Sequence, residues 1–367
     1  MRIGMGCKAQ TAAMGRAIPR ICNAAERPRP RLRDRVEIVN MHSEDLAVAQ
    51  PVHGGNPAAN DFIESKMTTY TTLIQVSELQ SLIDSGAPFM VFDCSFDLAN
   101  PAQGDSQYLE SHIPGAVRAD LDRNLSAKHG SPGADGKIIV ADDADKPASG
   151  GRHPLPNRER FAMWLCEIGF TNDMQAVVYD RNNANYCGRL WWMLKWAGHD
   201  AVAVLDGGLP AWQTEGKPVE SGEAIAHFQS NFELKPALAR LVNADDVFAN
   251  IDNPDQTVID ARAPARFRGE VEPLDPVAGH IPGALNRPFT TNIGTDGKFK
   301  PAAQLRQEFD ALLLGHDTAG VVHQCGSGVS ALPNLIAMEI AGLGRTALYA
   351  GSWSDWCSNP NRPVEKN

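Results

Sequence analysis

The chain repeats itself. His112-Ile-Pro-Gly-Ala116 returns as His280-Ile-Pro-Gly-Ala284, 168 positions later. Leu205-Asp-Gly-Gly-Leu-Pro-Ala-Trp212 aligns with Tyr349-Ala-Gly-Ser-Trp-Ser-Asp-Trp356 at an offset of 144. Self-similarity on this scale marks one structural unit used twice. The fall in offset from 168 to 144 leaves the first copy about 24 residues longer between the two motifs. The extra residues lie within Arg123 to Pro156, rich in Gly, Asp, Lys and Pro and without apolar periodicity. A long insertion of that kind is commonly functional or flexible.

Each copy alternates short β runs with amphipathic helical stripes, the pattern of an α/β fold with a mainly parallel sheet flanked by helices. In the first copy, Val76, Leu79, Leu82 and Ile83 predict a helix and Phe89-Met-Val-Phe92 a buried strand. Phe161, Trp164, Leu165 and Ile168 predict a helix closed by Gly169, followed by a strand at Ala176-Val-Val-Tyr179. Cys187, Leu190, Trp191 and Leu194 predict a helix closed by Gly198, before a strand at Val202-Ala-Val-Leu205. The second copy matches: Asn243 caps a helix with Val247, Phe248 and Ile251, and Val258-Ile-Asp260 is a strand. Leu305, Phe309 and Leu312 form a helix, Gly320-Val-Val-His323 a strand, and another helix starts near Ala331. The expected organisation is a leader over residues 1–66, one domain over 68–213, a linker over 214–236 and a second domain over 237–362.

No apolar run approaches the roughly 18 residues of a membrane span. The net charge of −10 argues against a nucleic-acid partner. A local cationic pocket can still take a small anion. Seven cysteines, at 7, 22, 94, 166, 187, 325 and 357, form no C-x-x-C pair. That fits neither a disulfide framework nor a zinc site and points to a reducing compartment, the cytoplasm. The first 35 residues hold nine basic residues against Glu26 and Asp34. Such a leader reads either as an organelle targeting peptide or as an unstructured extension, with Met67 a natural start.

The two copies differ where chemistry would sit. After its apolar strand the second copy carries Cys325-Gly-Ser-Gly-Val-Ser330; the first carries Asp180-Arg181-Asn182-Asn183. Two glycines let the loop curl so that several N–H groups converge on one centre. The helix that follows adds its positive end, and Pro333 falls in its first turn, where a missing N–H matters least. This setting favours a thiolate nucleophile at Cys325. The plainer reading, a small buried apolar residue, suits Cys94, Cys166 and Cys187 better.

With these motifs the chain resembles the tandem-domain rhodaneses over about residues 70 to 360. The loop is closest to the 3-mercaptopyruvate sulfurtransferases, whose loop reads Cys-Gly-Ser-Gly-Val-Thr; Ser330 keeps the hydroxyl. The resemblance implies two tandem rhodanese-like domains, the second catalytic and the first inactive, with the site between them. It implies that sulfane sulfur from 3-mercaptopyruvate passes through a Cys325 persulfide to a thiol, cyanide or thioredoxin, releasing pyruvate. No metal or organic cofactor is implied. Ser327, His153 and Asp122 match positions proposed to form an acid–base relay. Arg266 matches a substrate-binding arginine, and Gly326, Gly328, Val329 and Ser330 form the loop that holds the substrate. Arg189, before the Trp191–Trp192 pair, is a further pocket candidate.

One departure stands out. Mercaptopyruvate enzymes usually place a second arginine after a Glu-Pro pair, and Glu272-Pro-Leu-Asp275 offers no cation. A thiosulfate:cyanide sulfurtransferase is therefore the near alternative, although those enzymes typically carry basic residues at the two positions occupied by Gly326 and Ser327. A Cys-x5-Arg phosphatase would need arginine where Ala331 stands. A sulfur-carrier or protein-binding module is the non-enzymatic alternative, because fold alone does not fix function. His112 and His280 occur in both copies, which points to shared architecture. Asp93 and Asp260 end equivalent strands and fix loops, and Trp353 and Trp356 belong to the core or the pocket wall.

Overall fold

Strands buried on both faces need continuous apolar runs, and the central strands of this chain have them. The computed structural model describes residues 68–127, 131–132, 138–139, 146–223 and 228–366. The expected leader lies outside the described residues, as do parts of the insertion and of the expected linker. In chain order the first half contains β1 (Leu73–Ile74), α1 (Val76–Ser85), β2 (Phe89–Asp93), α2 (Gln103–Glu110) and β3 (Val117–Arg118). A small antiparallel pair, β4 (Ser131–Pro132) and β5 (Ile138–Ile139), falls in the insertion. Then come α3 (Arg158–Glu167), β6 (Gln175–Tyr179), α4 (Cys187–Trp196), β7 (Val202–Leu205) and α5 (Gly208–Thr214).

The second half follows with β8 (Arg240–Val242), α6 (Ala244–Ala249), β9 (Thr257–Asp260), α7 (Pro264–Phe267) and β10 (Leu285–Asn286). It ends with α8 (Ala302–Leu313), β11 (Val321–Gln324), α9 (Leu332–Ile340), β12 (Ala347–Tyr349) and α10 (Ser352–Trp356). Two five-stranded parallel sheets result, ordered β1-β7-β6-β2-β3 and β8-β12-β11-β9-β10. The orders are the same once the halves are aligned, as the repeat requires. In both, the central strand (β6 or β11) opens at its C-terminal end into the loop that separates the copies chemically, where ligands of parallel sheets bind.

Two of the helices, α3 and α6, start on asparagine caps that the sequence offers. Asn243 accepts from Asp245 N (2.8 Å) and Asp246 N (2.9 Å), and the Asp246 side chain returns a bond to its N–H. Asn157 caps α3 through Arg160 N at 2.8 Å. α6 stops at Ala249, so the expected Ile251 lies beyond the helix and packs on the core from the following turn.

The halves share one apolar core. Trp191, Trp192 and Leu194 of α4 belong to the same buried cluster as Leu332, Leu335 and Ile336 of α9. A Cβ at Gly188 would lie 2.9 Å from Leu332 Cβ, so α4 meets α9 closely through glycine. Buried Lys195 of α4 lies 3.5 Å from Glu339 of α9. His112 and His280 play matching roles. Each Nδ1 bonds a backbone carbonyl at 2.7 Å (Tyr108 and Phe267), and each ring stacks on that aromatic residue. No described helix is long and apolar enough to cross a membrane.

β11 also carries a fully buried histidine. His323 Nε2 faces Met338 Sδ at 3.2 Å, and burial, with Arg287 nearby, pushes its pKa down to about 3. The folded chain thus refuses a proton that the unfolded chain takes up below its ordinary value of 6.5. Stability from this group is complete above that value and is lost as pH falls towards 3, by about 1.4 kcal/mol per unit. His323→Gln should flatten the melting temperature between pH 7 and 5 relative to wild type; parallel curves would show that His323 does not set acid sensitivity.

Candidate active site

β11 delivers Cys325 to the floor of a tightly held loop. Its N–H donates to Ser352 Oγ at 3.1 Å, and its carbonyl accepts from Trp353 N at 3.0 Å. Ser354 N donates to Gly326 O at 2.9 Å, so the start of α10 clamps the loop. Gly328 has φ +74°, and a Cβ there would lie 2.2 Å from Ala350 O. Only glycine meets both demands. Cys325 is 2% exposed.

The first copy shows what such a loop binds. At the position of Cys325 it has Asp180, whose Oδ1 accepts from Asn182 N (2.8 Å) and Ala184 N (3.1 Å). Its Oδ2 accepts from Tyr186 N (2.8 Å) and Cys187 N (2.9 Å). Burial raises the Asp180 carboxyl, and these four amides oppose that rise. The first copy thus fills its ring of N–H groups with its own carboxylate. Around Cys325, among the described residues, the N–H groups of residues 326–330 have no protein acceptor.

Two first-half residues reach this loop, one just before the insertion and one near its end. His153, 2% exposed, has Nδ1 at 2.7 Å from Ser327 Oγ, and its Nε2 lies 3.5 Å from Asp122 Oδ1. The expected Ser–His–Asp set is therefore brought together, with its tight contact on the serine side. Close backbone approach seats this segment. A Cβ at Gly151 (φ +87°) would lie 2.3 Å from Gly351 O, and one at Gly150 2.7 Å from Asp355 Oδ1. Arg152 N then donates to Ser354 Oγ at 2.9 Å.

Arg266, in α7, pairs with Glu272 at 2.6 Å and reaches Asp275 at 3.3 Å. Burial pushes the Glu272 carboxyl up, but Arg266 and the Leu274 and Asp275 amides outweigh it and hold it below its usual value. The sequence offered no second cation here, yet the structure has one. Arg152 Nη1 lies 2.5 Å from Asp275 Oδ1. A Cβ on Gly326 would stand 3.1 Å from Arg152 Nη2 and 3.6 Å from Arg266 Nη1. Two guanidinium groups, one from each half, therefore face the residue beside Cys325. Asp275, in the stretch that carries no cation of its own, is thus the partner of Arg152. The available signal was position: Arg152 lies between Gly150-Gly151 and His153.

Arg189 departs from expectation. It is 0% exposed and donates to the carbonyls of Leu125 (3.3 Å), His153 (2.7 Å) and Gly328 (3.1 Å). Its fork is used up inside the protein, so it does not reach a substrate as a pocket arginine would. Val329 is buried in the shared core, while Ser330 is half-buried at the loop's end. Arg268 pairs with Glu270 on the surface.

Comparison with known proteins identifies the family. A family model described as a rhodanese-like domain matches residues 75–215 and again 243–359. A Pseudomonas aeruginosa protein named "Probable 3-mercaptopyruvate sulfurtransferase" is 45% identical over 276 residues, 75% of this chain and 91% of that one. A Mycobacterium tuberculosis protein named "Putative thiosulfate sulfurtransferase SseB" is 38% identical over 307 residues, 80% of this chain and 96% of that one. The structure of 3-mercaptopyruvate sulfurtransferase from Leishmania major superposes with TM-score 0.66 at 30% identity, covering 80% of this chain and 76% of that one.

Proposed function

The chain belongs to the rhodanese family and transfers sulfur, and from that premise we propose that 3-mercaptopyruvate is its donor. Residues 237–362 form the catalytic domain in this reading and residues 68–213 the supporting one. The Cys325 thiolate attacks the donor sulfur, the carbon–sulfur bond breaks, and the electron pair leaves with carbon as pyruvate enolate. The donor's thiol proton passes through Ser327 to neutral His153, whose tautomer Asp122 fixes, and returns to the enolate carbon as pyruvate forms. The Cys325 persulfide then yields its outer sulfur to a thiol, cyanide or thioredoxin. Arg266 and Arg152 hold the donor carboxylate by charge-assisted hydrogen bonds. No step calls for a metal or organic cofactor. Free thiols at all the described cysteines suit a reducing compartment such as the cytoplasm.

The observation that carries this reading is the His153–Ser327 contact of 2.7 Å, because only a donor with a proton to move needs it. Thiosulfate remains the second reading, since the same two guanidinium groups fit its sulfonate oxygens. Steady-state kinetics with both donors decide between them: kcat/KM should be higher for 3-mercaptopyruvate, and the reverse ranking would transfer the role to thiosulfate. Arg152→Ala and Arg266→Ala should each raise KM for 3-mercaptopyruvate about 10- to 100-fold, the worth of a hydrogen bond to a charged group. An unchanged KM in either variant would remove that residue from donor binding. A chain that gains no sulfur from either donor by mass spectrometry would instead be a binding module.

A further inference from the structure

Arg189 is a buried cation without an acid. It sits in the first turn of α4 and gives its fork to three neutral carbonyls, those of Leu125, His153 and Gly328. Arginine is almost never fully buried unless paired, because an uncompensated charge in the interior is costly. The other guanidinium groups around Cys325 are matched. Arg152 meets Asp275 at 2.5 Å, Arg266 meets Glu272 at 2.6 Å, and Arg262 meets Asp260 at 2.7 Å. Those three cations and three carboxylates balance. The remaining titratable neighbour, His153, faces the loop through Ser327, with Asp122 behind it. Of these four arginines, Arg189 alone has carbonyls and no carboxylate among its partners.

We propose that Arg189 is the counter-cation of the Cys325 sulfur, keeping first the thiolate and then the persulfide anionic. The same fork ties the cysteine loop at Gly328 to the backbone of His153, so Arg189 is also a positioning residue for the acid–base pair. Two further observations fit. Burial pushes the Arg189 guanidinium down to about 9, and negative charge on Cys325 opposes that fall. In the first copy the residue equivalent to Cys325 is an acid, Asp180, so the loop is built around an anion in both halves. The first half would then contribute to the reaction the charge that its own loop no longer serves.

The proposal rests on Cys325 being the nucleophile, and its test keeps the two apart. Alkylation of the full chain by iodoacetamide, followed at the Cys325 peptide by mass spectrometry across pH, gives the midpoint of thiolate formation. Arg189→Met should raise that midpoint by roughly one to two pH units, the usual effect of losing a close opposite charge. Arg189→Lys, which keeps the charge and loses the fork, should hold the midpoint within about half a unit of wild type while turnover falls roughly tenfold. A folded Arg189→Met with an unmoved midpoint would overturn the proposal. So would Arg189→Lys shifting as far as Arg189→Met. If Arg189→Met does not fold, the isosteric pair Cys325→Asp and Cys325→Asn decides. The Asp variant should melt about 3 °C or more above the Asn variant at pH 8; equal melting would overturn the proposal. A wild-type Cys325 that neither alkylates at neutral pH nor gains sulfur would be a different result, removing the nucleophile itself.

Discussion

Cys325→Ser is expected to lose sulfur transfer altogether, by about 10⁴-fold or more with either donor, as removal of a nucleophile does. A serine hydroxyl in the same cradle is not ionised at neutral pH and cannot carry sulfane sulfur. Of the other described cysteines, Cys166 is half-buried with its Sγ against the Phe232 backbone, and the remaining three have raised thiols. Cys94 and Cys187 are fully buried, and burial pushes both thiols well above their usual range, with Asp93 and Asp180 respectively adding to the rise. Cys357 is raised by burial too. The side chain at 325 is small and 2% exposed, so the variant should fold and melt close to wild type. The measurement is pyruvate release together with the intact mass after incubation with donor. Any retained turnover, or a gain of one sulfur mass by the Ser variant, would show that the persulfide forms elsewhere.

Much of this was legible because the chain states its fold twice. The long apolar strands β2, β6, β9 and β11 and the striped helices α3, α4 and α8 follow from periodicity. The repeat then fixes their correspondence. The edge strands β1, β3, β8 and β10 have only two or three residues each, too few for any period to register. Cys325 was legible because strand, glycines and helix lie consecutively around it. Arg152 and Arg189 were not, and for the same reason. Their roles depend on contacts 174 and 139 positions away, with Gly326 and Gly328 in the other half. Sequence composition marks both only as arginines. Geometry separates them: Arg152 is a quarter exposed beside an acid, and Arg189 is sealed against carbonyls.

His153→Ala should slow 3-mercaptopyruvate turnover by about 10²- to 10⁴-fold, the usual worth of a positioned acid–base group, and leave thiosulfate turnover nearly intact. The selectivity follows from the leaving groups. Sulfite departs from thiosulfate as a stable anion, and no proton need move. Pyruvate departs as an enolate, while the donor thiol holds a proton that must reach carbon. With Nδ1 at 2.7 Å from Ser327 Oγ, His153 is the base within reach of that path. Ser327→Ala should then give nearly the same loss, and the double variant should be little worse than either single one, since members of one relay are not additive. Asp122→Asn should cost less, because its contact with Nε2 is 3.5 Å, longer than a normal hydrogen bond. Equal slowing of both donors in His153→Ala would mean that the ring only props up the cysteine loop. Additive losses in the double variant would mean that Ser327 and His153 act separately, and the proton would need another route.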